Sequence, residues 1–480
     1  MDSLDDQISN VPKNNVNEDN KVVIKSSVKS IHLTEVPQMP KKHLDPIIVV
    51  GLVILLLIGI SFAVFLFSKS GLTHNNATDV KEENNISGEI NPIGDKVTST
   101  QLIAGEELTI DNSVILKRIT VGSSYACAIS ADNQTYCWGY NAWGQLGNGT
   151  KTVAKTAVKV DTSGALGGKT IKSISAGLDH TCAIASDDQL YCWGDNGSGQ
   201  LGNGSYESST VPVAVNTAGA LYDKTILSVA VGWANTCVLA SDNGVYCWGY
   251  NVDGRLGNKT KSNSNLPIAV DVTGVLKDKK IVAISDVCAI DSAGQAYCWG
   301  GNWEGQLGNG TKVDSAVPVA VDMTSQLSGK KFVSIDSGSG INCAVASDEV
   351  AYCWGSNDSL TPKTINNSGA LRSRGVKSVA TGISTSCVIA SDDQVYCWGS
   401  NIRGGLGNNS KTDSVDPVAV DTSGVMNNKK IVSIASSGYT CALSDENEVF
   451  CWGDNNNLGQ LGNSAATNGL TPTIVQDIGK

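Results

Sequence analysis

At 480 residues the chain is long for one ordinary domain, but it suits a repeat architecture or a large all-β barrel or propeller. Its 51 glycines and 17% charged residues favour many short strands joined by tight turns. A formal net charge of -11 argues against non-specific binding to nucleic acid or anionic lipid.

In chain order, residues 1–45 are polar, rich in Asn, Asp, Lys and Ser, and lack apolar periodicity. They read as a disordered cytoplasmic tail. Segment 46–68 contains "IIVVGLVILLLIGISFAVFLF" (47–67), which carries no charge. As a helix it would be roughly 31 Å long, near the thickness of a bilayer core. A single transmembrane helix is therefore expected here. Lys25, Lys29, Lys41 and Lys42 precede it, and only Lys69 and Lys81 follow closely. That bias places the N-terminus in the cytoplasm and the larger C-terminal part outside, as a signal-anchored cell-surface protein. A cleaved signal peptide is the competing reading, but the preceding tail is long and no small-x-small site follows closely. Residues 69–100 read as a flexible stalk.

From 101 to 480 the chain repeats. A Cys-Trp-Gly triplet recurs seven times, at Trp138, Trp193, Trp248, Trp299, Trp354, Trp398 and Trp452. Successive spacings are 55, 55, 51, 55, 44 and 54 residues. Unit two reads "IKSISAGLDHTCAIASDDQLYCWGDNGSGQLGNGS" (171–205), followed by an apolar run at 211–215. Period-two runs separated by Gly, Asn, Asp and Ser turns give about four strands per unit, the content of a propeller blade. Seven blades predict an all-β, seven-bladed propeller. Unit four lacks the glycine loop before its first cysteine ("ISDVCAI"), and unit five has lost the "GQLGNGT" tail ("WGSNDSLTPKT"). Ring closure by strand pairing between the chain's two ends is expected, around 114–121 with 471–475.

The unit-two pattern resembles the regulator of chromosome condensation repeat family over about residues 117–480. The resemblance implies a seven-bladed propeller. That family includes a guanine nucleotide exchange factor for the small GTPase Ran, which binds chromatin. No counterpart of its exchange wedge is recognisable here, and an extracytoplasmic propeller is a poor candidate for exchange. Secreted relatives, among them a β-lactamase inhibitory protein, bind proteins through one propeller face.

All 14 cysteines fall into pairs ten residues apart: Cys127-Cys137, Cys182-Cys192, Cys237-Cys247, Cys288-Cys298, Cys343-Cys353, Cys387-Cys397 and Cys441-Cys451. On a hairpin turning near Asp187, the members of the second pair lie opposite one another, within reach of a disulfide. Seven intra-blade bridges are the favoured reading, and an extracytoplasmic setting suits them. Buried reduced thiols and metal ligation are the alternatives. The latter has an incomplete shell, with two thiols per site and almost no histidine.

Little suggests catalysis. Of 4 histidines only His180 lies in the repeats, at a position that is often histidine in the family it resembles. "GQLGNG" lacks the "GKS" or "GKT" of a phosphate loop and recurs on several units, so its glycines read as turn formers. The leucines of those loops, such as Leu146 and Leu201, read as anchors against the ring. Carboxylates sit mostly in turns such as "SDDQ". No catalytic residue, cofactor or metal site is expected. Residues that the repeats do not share are the sharper lead: Tyr140, Trp143, Trp233, Tyr250 and Trp303 lie in variable loops and could form a binding face. A shielding role for neighbouring strands is the plain alternative. The expected function is a membrane-anchored extracellular propeller engaging a protein partner. Glycan or cell-wall polymer binding is the alternative, with a hydrolase or exchange factor behind it.

Overall fold

The computed structural model describes residues 119–479 except 325, 357, 358, 366–368 and 456. The tail, transmembrane helix and stalk expected over 1–45, 46–68 and 69–100 lie outside the described residues. Described residues form 28 strands and one short 3-10 turn, Gly369–Leu371. The strands make seven four-stranded antiparallel sheets, each from four consecutive strands in chain order. The seven-bladed propeller of four-stranded blades is therefore the fold. Its blades span 119–159, 171–214, 226–269, 281–320, 332–364, 376–419 and 431–474.

Blade 2 shows why the sequence folds this way. Its strands are Ile171–Ala176, His180–Ala185, Leu190–Gly194 and Ser209–Ala214. The middle two are buried along their whole length, whereas the outermost is only partly buried. Adjacent side chains in a strand point to opposite faces of the sheet. Cys192 thus faces blade 3 while its neighbour Trp193 faces blade 1. The clusters confirm this: Cys182, Cys192 and Leu201 pack with Trp248 of blade 3. Cys127, Cys137 and Leu146 of blade 1 pack with Trp193. Every seam between blades joins the cysteine pair of one blade to the repeat tryptophan of the next.

The seven expected disulfides are present, and no cysteine is free. Within each pair the two residues are direct cross-strand partners, Cys182 with Cys192 for example. Their Cα atoms are 4.0–4.1 Å apart, the close approach of a non-hydrogen-bonded antiparallel pair. Chain entropy gives each such short loop about 2–3 kcal/mol.

The "GQLGNG" tail acts across blades. Gly202 takes a left-handed φ of 66° and lies flat on the indole of Trp248, where a Cβ would collide with the ring. The carbonyl of Gln200 accepts the Trp248 indole N–H at 2.9 Å. Leu201 between them is fully buried. The loop is held from behind by Asn196, whose amide donates to the carbonyls of Ser205 and Glu207 at 3.1 and 3.0 Å. Its oxygen accepts from Leu201 N at 2.9 Å.

Closure differs from the expected pairing of the chain's ends. The last strand, Gly469–Ile474, pairs with Val449–Gly453 of its own blade, and Ile119–Val121 pairs with Tyr125–Ile129 of its own. Among the described residues, repeat and blade boundaries coincide and no strand is exchanged between the ends; residues 114–118 of the expected pairing lie outside the described residues. Instead blade 7 meets blade 1 as any two neighbours meet. The Gln460 carbonyl accepts the Trp138 indole N–H at 2.9 Å, and Leu461 joins the cluster around Trp138. First strands touch from blade to blade all the way round, including Ile431–Ser436 against Ile119–Val121.

Candidate functional site

Loops joining first to second strands and third to fourth strands share one end of the ring. Backbone bonds tie them: Tyr140 N donates to Ser124 O and Tyr250 N to Ala234 O, each at 2.9 Å, and Asp195 N to Asp179 O at 2.8 Å. All five sequence-selected aromatics occupy these loops, on blades 1, 3 and 4. Trp143, Trp233 and Trp303 are exposed at 44%, 57% and 72%. Tyr140 and Tyr250 are half-buried. Tyr250 lies beneath the Arg255 guanidinium, 5.4 Å from its ring centre, so that its π-face is already occupied by a cation.

Selecting for aromatics missed aliphatic members of the same face. Val252 and Ile402 occupy the position of Trp303, directly after the buried Asn of the loop, and are 56% and 69% exposed. Ile383 occupies the position of Trp233, after a loop glycine, and is 54% exposed. Aligning these positions across repeats was the available signal, because each carries a small or polar residue in other blades.

The loop tips are braced. Trp143 N donates to the Gln145 side-chain oxygen at 3.1 Å, while the same amide donates to Asp179 of blade 2 at 2.9 Å. Ser198 and Glu304 are held likewise by Gln200 and Gln306. A contact residue on a braced backbone loses less entropy on binding than one on a free loop.

Between the aromatic positions of blades 1 and 3, blade 2 presents Asp179 and Asp195. Burial, then the charge of Asp195, pushes the Asp179 carboxyl up to about 6. In blade 4 the shortened loop turns within two residues, since Ser285 pairs directly with Cys288. Asp286 at that turn is half-buried, and its carboxylate takes the space that a loop carbonyl fills beside Gly122 and Gly177. It accepts from the Asn235 amide at 2.8 Å. Burial raises its carboxyl despite the opposing charge of Arg255. Arg255 in turn pairs with Asp253.

Other polar groups serve the frame. His180 is wholly buried, bonded through Nε2 to Thr236 Oγ1 at 2.9 Å, and burial pushes it down to about 3. It stands two residues before the first cysteine, where other blades carry Tyr125, Asn235, Ile341 or Tyr439, so it is one variant of a repeated packing position. Turn carboxylates accept hydroxyl bonds from the tyrosine of the next strand: Tyr191 to Asp187, Tyr246 to Asp242 and Tyr396 to Asp392. Among the described residues no cluster of three His, Cys, Asp or Glu could hold a metal ion.

The fold and this face define a disulfide-stapled propeller with one apolar-rimmed loop end. The RCC1-like domain family matches residues 79–371, and the regulator of chromosome condensation (RCC1) repeat matches 376–404, 431–460 and, in a second form, 392–443. The chain belongs to the RCC1 repeat family. It is 29% identical over 248 residues to the ultraviolet-B receptor UVR8 of Arabidopsis thaliana, covering 51% of this chain and 54% of that one. It is 32% identical over 262 residues to the human E3 ubiquitin-protein ligase HERC2, covering 54% of this chain and 5% of HERC2. It thus spans about half of one relative and a small part of the other. Yeast RCC1 (Prp20), solved bound to Kap60, superposes with a TM-score of 0.61 at 18% identity, covering 83% of this chain and 91% of that one. Human WBSCR16 gives 0.57 at 20% identity, with 66% and 84% covered. At those identities the structures speak for the fold alone.

Proposed function

We propose that this chain is a membrane-anchored, non-enzymatic interaction module whose propeller faces the extracytoplasmic side and binds a protein partner through the loop end of the ring. The observation that carries the reading is the set of exposed Trp143, Trp233 and Trp303, joined by Val252, Ile383 and Ile402, all on one end. Exposed aromatic and aliphatic side chains on braced loops are what interface anchors require. The anchor and its orientation rest on the apolar run at 47–67 and its lysine bias. Seven disulfides suit an oxidising compartment. A partner-binding role also agrees with a family member having been solved bound to Kap60. HERC2's ligase activity belongs to a protein of which this chain covers 5%, and is not carried over.

The test is surface display of the full chain with proximity labelling, followed by affinity measurement on the captured protein. Replacing Trp143, Trp233 and Trp303 together by Ala should weaken binding by at least about tenfold while leaving the melting temperature in place. Unchanged affinity would remove this face from the proposal. Wall-polymer or glycan-array binding lost in the same triple variant, without a protein partner, would favour a sugar ligand stacking on the indoles.

A further inference from the structure

At the loop end, the seam between blades 1 and 2 and the seam between blades 3 and 4 share one side-chain pattern, with a single difference. In blade 3 the loop "WGYNVDGRLG" (248–257) places Arg255 over the ring of Tyr250, 5.4 Å from its centre. Arg255 pairs with Asp253 of its own loop, and its positive charge acts on Asp286 in the first loop of blade 4. Blade 1 repeats the frame as "WGYNAWGQLG" (138–147), with Tyr140 at the position of Tyr250. Blade 2 supplies Asp179 in the loop that corresponds to that of Asp286. At the position of Arg255, however, stands the neutral Gln145, whose amide donates to Asp179 Oδ1 at 2.9 Å.

Blade 2 adds a second carboxylate beside the first. Asp195 N donates to Asp179 O at 2.8 Å, and the charge of Asp195 acts on Asp179. Asp195 is itself held by neutral donors: Gln200 Nε2 at 2.7 Å, Gly197 N at 3.2 Å and Ser208 Oγ at 3.4 Å. Among the described residues neither carboxylate pairs with a cation, and the arginines of this end, Arg255 and Arg403, are taken by Asp253 and Asp454. Both aspartates are half-buried, so salt screens them less than it screens a fully exposed pair. Trp143 and Trp233 flank them. Trp143 N donates to the Gln145 side chain that holds Asp179, and the Trp233 carbonyl accepts from Leu178 N at 3.3 Å.

We propose that the loop end takes an arginine side chain of its protein partner between Trp143 and Trp233, against Asp179 and Asp195. This rests on the proposed function and deepens it, since it names what the aromatic face recognises. The guanidinium would stand with Tyr140 and the two carboxylates as Arg255 stands with Tyr250, Asp253 and Asp286. A planar guanidinium lies on an aromatic ring while its N–H groups donate to carboxylates, so one side chain suits both parts of the site. A wholly apolar segment would cover the indoles but leave two carboxylates desolvated without a counter-charge. An anionic segment would meet like charge.

The experiment uses the full chain in detergent micelles, labelled with 5-fluorotryptophan and observed by fluorine NMR. Trp143→Phe, Trp233→Phe and Trp303→Phe assign three resonances. The probe is the capped peptide acetyl-Leu-Arg-Leu-amide, compared with the same peptide carrying citrulline, which is neutral and nearly the same shape. The arginine peptide should shift the Trp143 and Trp233 resonances saturably and leave Trp303 in place. Citrulline in the peptide, or Asp195→Asn in the chain, should weaken the response at least about tenfold. Gln145→Arg gives blade 1 the cation that blade 3 already has, and should abolish the response. Trp143 and Trp233 unmoved by the arginine peptide at about 10 mM, equal binding of the citrulline peptide, or an undiminished response in Asp195→Asn or Gln145→Arg would each overturn the arginine site. If one of these were seen while the triple tryptophan variant still lost its captured protein, the binding face would stand and only the arginine would fall.

Discussion

Asp179 shows how a single side chain records its surroundings. Its carboxyl is pushed up to about 6 by burial and by Asp195 nearby, against about 4 in an unfolded chain. The folded state therefore holds the proton more tightly, and stability falls as pH rises from about 4 to 6, then levels off. Asp179→Asn keeps an acceptor for the Gln145 amide and removes the charge. It should raise the melting temperature at pH 7 by about 2–4 °C, on the order of 1 kcal/mol after solvent screening, and change little at pH 4. Equal shifts at both values would show that charge is not the cause. His180 slopes the other way: burial holds it neutral down to about 3, so stability is lost as pH falls from about 6.5. The two opposed slopes lie on adjacent residues.

At the scale of elements, the glycine-rich loop is a cross-blade clasp. Its leucine, glycine and carbonyl all act on the next blade, while its asparagine folds the loop back on itself. Asn196→Ala would remove two donated bonds and one accepted bond, leaving the Leu201 N–H and the carbonyls of Ser205 and Glu207 without their partner. A loss of about 2–4 kcal/mol is expected in urea unfolding. A loss below about 0.5 kcal/mol would mean that the leucine alone anchors the loop. The disulfides work at this scale too. Each closes one hairpin, yet its sulfurs face the next blade's tryptophan, so the same bridge serves both the hairpin and the seam.

For the whole ring, closure is a seventh ordinary seam rather than a shared sheet. Gln460 grips Trp138, the Tyr439 hydroxyl donates to the Tyr125 carbonyl, and Ala157 N donates to Gln476 O at 3.2 Å. Removing residues 469–480 would strip the outer strand of blade 7 and also take Gln476 and Val475 from the closing seam. The melting temperature measured by circular dichroism should fall by more than about 5 °C. Removing only 477–480 takes Ile478 from the edge of that cluster but leaves the outer strand and Val475, so the fall should be less than half as large. Equal effects from both deletions would mean that Ile478, not the outer strand, holds the seam.

Blade number, strand content and cysteine pairing were legible in the sequence because each depends on local spacing repeated seven times. Ten residues between cysteines on a short hairpin leave one register in which they face each other, and that register holds in all seven blades. The exposed aromatics were legible for the opposite reason, since they break the repeat. The expected joining of the chain's ends failed because spacing reveals the period of a repeat but not where a blade begins. Tertiary structure decided that phase, and with it which blade each loop serves. The lost tail of unit five could be read from its residues, but not that such a tail, where present, packs on the tryptophan of the next blade. A side chain's period-two direction is set within its own strand. What it meets there is set by the neighbouring blade.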